Sequence, residues 1–373
     1  YFTEAEVAAW ETATGKSRTS LKIIKVDDNS IASVNASNYD NFTITEVPAT
    51  IGAFGTNVTF EATFNGKLGG GYAVGPATGL ICGDFSTVWN GSSWSNGLPT
   101  KLYSVTFAGN YSSSSNLESC SVSINSGANV VFNPGNTLIV EGDITVNLGG
   151  TLTIENNAAL NQLSNTAVNN GVITVKRVSS PMIRLDYTAW SSPVAGQQLL
   201  AFSPNTISTR FYEYLYTGTT TPTAYQSVNP NNNFISGKGY MIRVADNWSS
   251  TVASSYNGQF VGQPNNGLIT QNIGIGYNLI GNPYPSPINM ETFVNDNAAN
   301  ITTSLYFWRE TNGNTSNNAY CQWNDGLFQS NGQSQVFDPQ NVIRTGQGFF
   351  VEATGAGTAL VFNNNQRVDD TAN

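Results

Sequence analysis

The 373-residue chain contains no histidine. That absence excludes Ser-His-Asp and Cys-His catalysis and every His-ligated metal site. Charge is scarce: charged residues make up 10%, and 15 basic against 24 acidic side chains leave a net −9. Lys and Arg form no run, so phosphate neutralisation has no basis and no nucleic-acid partner is expected. An acidic chain of this kind is also a poor match for anionic lipid. No stretch approaches the ~20 apolar residues needed to cross a bilayer, and no signal-peptide pattern is present, so no membrane insertion is expected. Cysteine is limited to Cys82, Cys120 and Cys321, without CxxC spacing. This excludes a zinc cluster or redox motif of familiar form. One disulfide can form outside the cell, Cys82 with Cys120 being nearest in sequence; the alternative is three small buried hydrophobes. The chain starts YFTEAEVAAW without Met and ends DDTAN, and reads as a portion of a longer one.

What is present is polar and aromatic. Solubility comes from Asn, Ser, Thr and Gly, while 36 glycines, 11% aromatic residues and short β-branched runs indicate an all-β protein rich in turns. Residues 1–80 form an N-terminal β region. AEVAAWETATGK permits one short helix, and Leu21–Val26, Phe42–Val47 and Val58–Phe64 alternate as half-buried strands. The glycines of GKLGGGY (Gly66 to Tyr72) are not followed by GK[ST] or a helical pattern, so the segment reads as a linker, not a phosphate loop.

Residues 81–180 hold a repeat of 22 residues. Val122-Ser123-Ile124 maps to Ile144-Thr145-Val146, Val130-Val131-Phe132 to Leu152-Thr153-Ile154, and Leu138 to Leu160, where Gln162 then replaces Val140. A further coil is one residue shorter, placing Leu152 and Ile154 on Ile173 and Val175. A single unit cannot bury its apolar side, but stacked units pair every strand with the coil above and below, the logic of a parallel β-helix. Such a solenoid has open strand edges that recruit other chains unless capped. FSTVWNGSSWSNGLPT lies just ahead of the first coil, so Trp89 and Trp94 are candidates for a structural cap.

Residues 181–373 hold a longer duplication, with halves at about 184–265 and 274–368. YTAWSSPV from Tyr187 aligns with YNLIGNPY from Tyr277, Arg210–Tyr214 with Ser304–Trp308, and Gly237 and Gly239 with Gly346 and Gly348. Order is kept while the step grows, which places insertions in loops and implies two β-sandwich halves or one sandwich built by duplication.

Candidate chemistry is thin. GKGY and GQGF each precede an apolar strand rather than a helix, so their glycines read as turns feeding strands. The solenoid acids Glu118, Glu141, Asp143 and Glu155 do not stack as the pair a glycosidase needs; Lys176 and Arg177 are a narrow basis for a polysaccharide lyase. No cofactor is expected; structural calcium at Asn295-Asp296-Asn297 or Asp369-Asp370 is conceivable but has no EF-hand frame. Sugar binding through aromatics is the serious rival to a purely structural role. Tyr212, Tyr214 and Tyr216 would share one face of a strand, and Trp323 joins them as a ligand-binding candidate.

WNGSSWSNGLPT, the coil sequence SCSVSINSGANVVFNPGNTLIVEGDITVNLGGTLTIENNAAL, GYNLIGNPYPSPI, SLYFW, IRTGQGFFVEA and FNNNQR together resemble the large surface proteins of the Bacteroidetes, especially gliding flavobacteria. The resemblance spans residues 85–368. It implies export by the type IX secretion system, adhesin-like character and a further C-terminal sorting domain, which this sequence does not include. It contributes no catalytic residue. Trp89, Trp94, Pro99, Cys120, Gly281, Asn282, Pro283, Gly346 and Gly348 stand at its motif positions as structural residues. The expectation is an all-β protein, a short right-handed parallel β-helix plus β-sandwich units, located outside the cell or on its outer surface. Its expected role is non-catalytic and structural or adhesive, with surface glycans or other surface and secretion-system proteins as partners, and self-association through strand edges open to it. The alternatives are a carbohydrate-binding module and a β-helix lyase or hydrolase.

Overall fold

The computed structural model describes residues 2–14, 16–26, 44–63, 71–76, 81–216, 218, 224–309, 319–333, 336–355 and 358–369. The chain is nearly all β, with a solenoid of about four turns and further sheets. It divides into two compact units, one of residues 1–106 with 118–122, the other of 107–117 with 123–373.

In the first unit the helix Glu4–Thr14 is started by a reciprocal cap. The Glu6 N–H donates to Thr3 Oγ1 at 3.2 Å, and the Thr3 N–H donates back to Glu6 Oε2 at 2.7 Å. Two antiparallel sheets follow: Phe2–Thr3, Asn57–Glu61 and Thr50–Phe54 in one, Ile44–Pro48, Leu21–Val26 and Gly71–Pro76 in the other. Of the expected GKLGGGY linker, residues 66–70 lie outside the described residues, whereas Gly71 and Tyr72 open the last of these strands. Phe42, Thr43 and Phe64 of the expected strands also lie outside them. Cys82 and Cys120 form a disulfide with their Cα atoms 5.0 Å apart, which ties the segment 118–122 to the residues around Asp84.

The second unit contains the solenoid from Ser123 onward and the duplication. The 22-residue register holds strand by strand: Asn129–Phe132 pairs in parallel with Thr151–Ile154, and Thr137–Val140 with Ala159–Gln162. The next coil is one residue short, so Ile154 faces Val175. Alternate residues point inward, and Val130, Phe132, Leu138, Ile154, Leu160 and Val175 are fully buried. Gln162, which breaks the apolar pattern, is also fully buried. It is satisfied because its amide and that of Asn169 exchange hydrogen bonds of 2.9 and 2.8 Å, and Nε2 also reaches the Gly142 carbonyl at 2.9 Å.

The two halves of the duplication repeat one sheet. The first runs Tyr187–Trp190, Tyr240–Arg243, Phe211–Tyr214, Tyr225–Ser227; the second runs Gly276–Gly281, Gly348–Ala353, Ile301–Trp308, Tyr320–Asn324, with Leu327–Gln329 added at its edge. Entry strand, Gly-fed strand, aromatic strand and return strand occur in the same spatial order in each. The second half buries a core of its own around Phe293, Phe307, Phe349 and Phe362.

Candidate functional site

The halves meet through reciprocal contacts, as a pseudo-two-fold requires. Trp190 of the first entry strand bridges Gln347, between the second half's glycines, and Ile280 of the second entry strand bridges Lys238, between those of the first. The Ser191 N–H donates to the Gly346 carbonyl at 3.0 Å, and the Gly281 N–H donates to that of Gly237, also at 3.0 Å. Gly237 and Gly346 hold φ of +81° and +74°, the left-handed region that favours glycine. Gly239 lies so near the neighbouring half that a Cβ would stand 2.5 Å from the Ile280 carbonyl oxygen. Both Gly-x-Gly segments are therefore turn and contact devices feeding a strand.

This geometry brings the inner faces of the two sheets together as a tyrosine-rich layer around Ala189, Met241, Leu279 and Phe350. Equivalent pairs recur on each side. Tyr187 and Tyr212 have ring centroids 5.9 Å apart, their counterparts Tyr277 and Tyr306 5.7 Å. Tyr214 and Tyr225 lie 5.0 Å apart, their counterparts Trp308 and Tyr320 5.3 Å. At the centre, the hydroxyls of the equivalent residues Tyr225 and Tyr320 are hydrogen-bonded at 2.6 Å. Such edge-to-face contacts add about 0.5–1.5 kcal/mol each beyond area burial.

On one side the layer opens into a cavity of about 390 Å³. Its walls carry Tyr214, Tyr225, Tyr277, Tyr306 and Tyr320 with Phe350, and its polar lining is Gln322, Gln329 and Ser330, next to Ala319. Tyr214 and Phe350 meet edge-on at 5.1 Å and 89°. Burial pushes the Tyr277 hydroxyl up to about 12, with Tyr306 and the Glu352 carboxylate, its partner in the strand register, adding to the shift. Burial also raises Tyr214, with Tyr216 as the second cause. Both shifts favour the neutral phenol, and the described lining is otherwise rings, amides and hydroxyls without Lys, Arg, Asp or Glu.

The expected ligand residues are separated by the structure. Tyr214 lines the cavity. Tyr212 packs on Tyr187 and accepts from Arg210 Nη1 at 2.8 Å, without lining it. Tyr216 lies past the end of the strand Phe211–Tyr214, so the three tyrosines do not share one strand face; its ring nonetheless meets Tyr277 at 5.9 Å. Trp323 is a correction: it is 1% exposed in the core of the second half, and its indole N–H donates to Asn341 Oδ1 at 2.7 Å. Odd and even positions of Tyr320–Asn324 face opposite sides, so Gln322 reaches the cavity side while Trp323 points into the core. Tyr225, Tyr277, Tyr320 and Phe350 escaped the sequence reading, although the duplication pairs three of them with Tyr320, Tyr187 and Tyr225.

The other candidates are structural. Trp89 and Trp94 are half-buried, 5.2 Å apart and tilted by 56° across a tight turn closed by the Ser95 N–H donating to the Val88 carbonyl at 2.9 Å. The strand Phe85–Trp89 that leads into this hairpin pairs with Tyr103–Phe107 at the end of one solenoid sheet, the place the structural cap was expected to take. Glu155 is paired with Lys176 at 2.7 Å, and Asp143 accepts the Val168 N–H at 2.7 Å. Asp296 ends the helix Met290–Asp296 and accepts from the Gln366 and Asn363 amides, while Asn297 is buried and bonds backbone, so the segment considered for structural calcium is a helix terminus. Asp369 accepts from Asn161, and Asp370 lies outside the described residues. Among the described residues no three His, Cys, Asp or Glu side chains converge as metal ligands, and no helix is long and apolar enough to cross a membrane.

The fold and cavity define a class: an all-β protein in which a parallel solenoid runs into a duplicated sandwich with an aromatic cavity between its sheets. Residues 81–373 match the model of a family described as a domain of unknown function, DUF8693, and the chain belongs to that family. No curated protein and no solved structure matches it.

Proposed function

We propose that this chain is a non-catalytic module of the cell surface or its surroundings, with a structural and adhesive role. The observation that carries the reading is the cavity, whose lining of phenols, carboxamides and a hydroxyl suits reversible contact and offers no acid–base pair for chemistry. Two of the solenoid acids are engaged in structure, Glu155 with Lys176 and Asp143 with the Val168 N–H. The Cys82–Cys120 disulfide supports an oxidising compartment. The motif resemblance to exported Bacteroidetes surface proteins supports type IX secretion, with surface glycans or neighbouring surface proteins as partners.

The test is retention of the purified chain on polysaccharide-coated and cell-derived surfaces, run beside reducing-sugar and unsaturated-product assays on neutral and acidic polysaccharides. Retention with blank product assays is expected. Product formation that disappears in Glu155→Gln would overturn the non-catalytic reading, and absence of retention on every surface would overturn the adhesive one.

A further inference from the structure

We infer that the tyrosine cavity is a binding site for a neutral sugar residue, and that Tyr277, Gln322 and Gln329 determine what it accepts. The inference rests on the adhesive reading and names the ligand class of that same site.

Size comes first. A cavity of about 390 Å³ falls within the range of small-ligand sites, roughly 300–1,000 Å³, and admits one or two pyranose rings. Shape comes second. A pyranose presents a face of polarised C–H bonds bordered by hydroxyls. The negative faces of aromatic rings attract the first, and phenol, amide and hydroxyl groups bond the second. This cavity supplies both, with Phe350 as an apolar base and Gln322, Gln329 and Ser330 on one edge. The two carboxamides each offer a donor and an acceptor, which matches a vicinal diol better than any purely apolar guest.

Charge decides the subclass. None of the described lining residues is Lys, Arg, Asp or Glu, and the Glu352 carboxylate faces Tyr277 from the adjoining strand. A uronate or sulfated sugar would meet that carboxylate, and a net −9, without an arginine or lysine among the lining residues. A cationic guest would find a ring cage, but the lining provides no carboxylate to pair with it. Neutral hexoses and N-acetylhexosamines remain.

The duplication explains why the site is built on one side. The second half adds the strand Leu327–Gln329 beyond Tyr320–Asn324, and among the described residues the first half has no strand beyond Tyr225–Ser227. Gln329 and Ser330 come from this addition, so the polar edge belongs to the elaborated copy.

The test uses the whole chain against neutral mono- and disaccharides, galacturonate and tetramethylammonium, read by saturation-transfer NMR and calorimetry. Millimolar or tighter binding of one or more neutral sugars is expected. Tyr277→Ala and Gln329→Ala should each weaken it about tenfold or more, whereas Tyr212→Ala, on the other side of the layer, should not. Gln329 lies at an exposed edge, so its variant remains folded and keeps the test decisive if Tyr277→Ala does not. Absence of neutral-sugar binding by folded wild type, binding unaffected by Gln329→Ala, or preference for galacturonate or the quaternary ammonium would overturn the inference. Surface retention that persists without inhibition by any neutral sugar would overturn the ligand class and leave the adhesive reading standing. Sugar binding without surface retention would do the reverse.

Discussion

Arg367 offers the sharpest test of how the solenoid is joined to the duplicated region. Its side chain is buried, with the guanidinium 4.8 Å above the Tyr284 ring. Nε donates to Ser286 Oγ at 2.8 Å, Nη1 to Asn266 Oδ1 at 2.9 Å, and Nη2 to the Leu160 carbonyl of the last solenoid coil. Burial pulls its pKa down to about 9, so the group is an ion held mainly by neutral acceptors. Arg367→Ala removes the fork and strands those acceptors. Asn266 Oδ1 keeps a bond from Asn364 Nδ2 at 2.9 Å, which leaves Ser286 Oγ and the Leu160 carbonyl as the main losses. At about 1–3 kcal/mol for each orphaned buried group, less the desolvation of the cation that the variant escapes, the net cost is about 3 kcal/mol. That corresponds to a fall of about 6–12 °C in melting temperature. Arg367→Lys, which keeps the charge but lacks the planar fork, should recover only part of it. Thermal melts followed by circular dichroism at constant pH would decide. A melting temperature for Arg367→Ala within a degree of wild type would refute the claim that this residue clamps the junction.

Reduction of the Cys82–Cys120 disulfide, or Cys82→Ser, should destabilise the first unit by about 4 kcal/mol, from a sequence separation of 38 in the chain-entropy relation. Denaturant melts with and without reductant measure it, and identical midpoints would contradict it. Tyr277 should ionise late. Its folded pKa, about 12, stands above the unfolded value of 10, so its contribution to stability is complete below pH 10 and is lost as pH rises through 12. A spectrophotometric tyrosine titration of wild type should therefore contain a late step that Tyr277→Phe removes; an unchanged curve would show that the ring is solvated.

Much of the architecture was legible because its signals are local and periodic. The solenoid register follows from Val130, Leu152 and their neighbours recurring with alternation, and backbone pairing in a parallel stack admits one register for that pattern. The duplication was legible from Gly237-Lys238-Gly239 and Gly346-Gln347-Gly348, since a positive φ and a close approach restrict both positions to glycine. The cavity was not legible, because it lies between two sheets and depends on which face each aromatic takes. Trp323 and Gln322 are adjacent, and a shift of one residue in the assumed register exchanges core for cavity. Tyr216 misled for a related reason: alternation was extended past the end of its strand. Trp89 and Trp94 were assigned to the coil end from sequence order, and the strand Phe85–Trp89 does lie at the end of a solenoid sheet; what sequence order did not give is the bridge that pairs the two indoles across a turn.

The last coil of the solenoid raises the question of why these stacked strands do not continue into another molecule. Its edges are closed by three devices from the duplicated region. Asn257–Pro264 pairs antiparallel along the whole of Ile173–Val178; the Leu160 N–H donates to the Pro285 carbonyl at 2.8 Å; and Asn169 Nδ2 donates to the Pro264 carbonyl at 3.0 Å. The first is the largest, and it is itself central, with Val194–Ala195 on its other side. Val261 donates its N–H away from the solenoid, to Gln197 Oε1 at 2.7 Å, so by antiparallel alternation the N–H of Gly262 faces Ile173. Gly262→Pro removes that donor and places a ring where even a Cβ would stand 2.0 Å from the Ala195 carbonyl oxygen. The end of the capping strand must then leave both neighbours and uncover the edge around Ile173. If open edges recruit strands, this variant should show concentration-dependent oligomers by light scattering while retaining β circular dichroism. A folded Gly262→Pro that stays monomeric at all concentrations would mean that the solenoid end is protected by its twist or its polar Gln162–Asn169 pair, and that the capping strand serves packing alone.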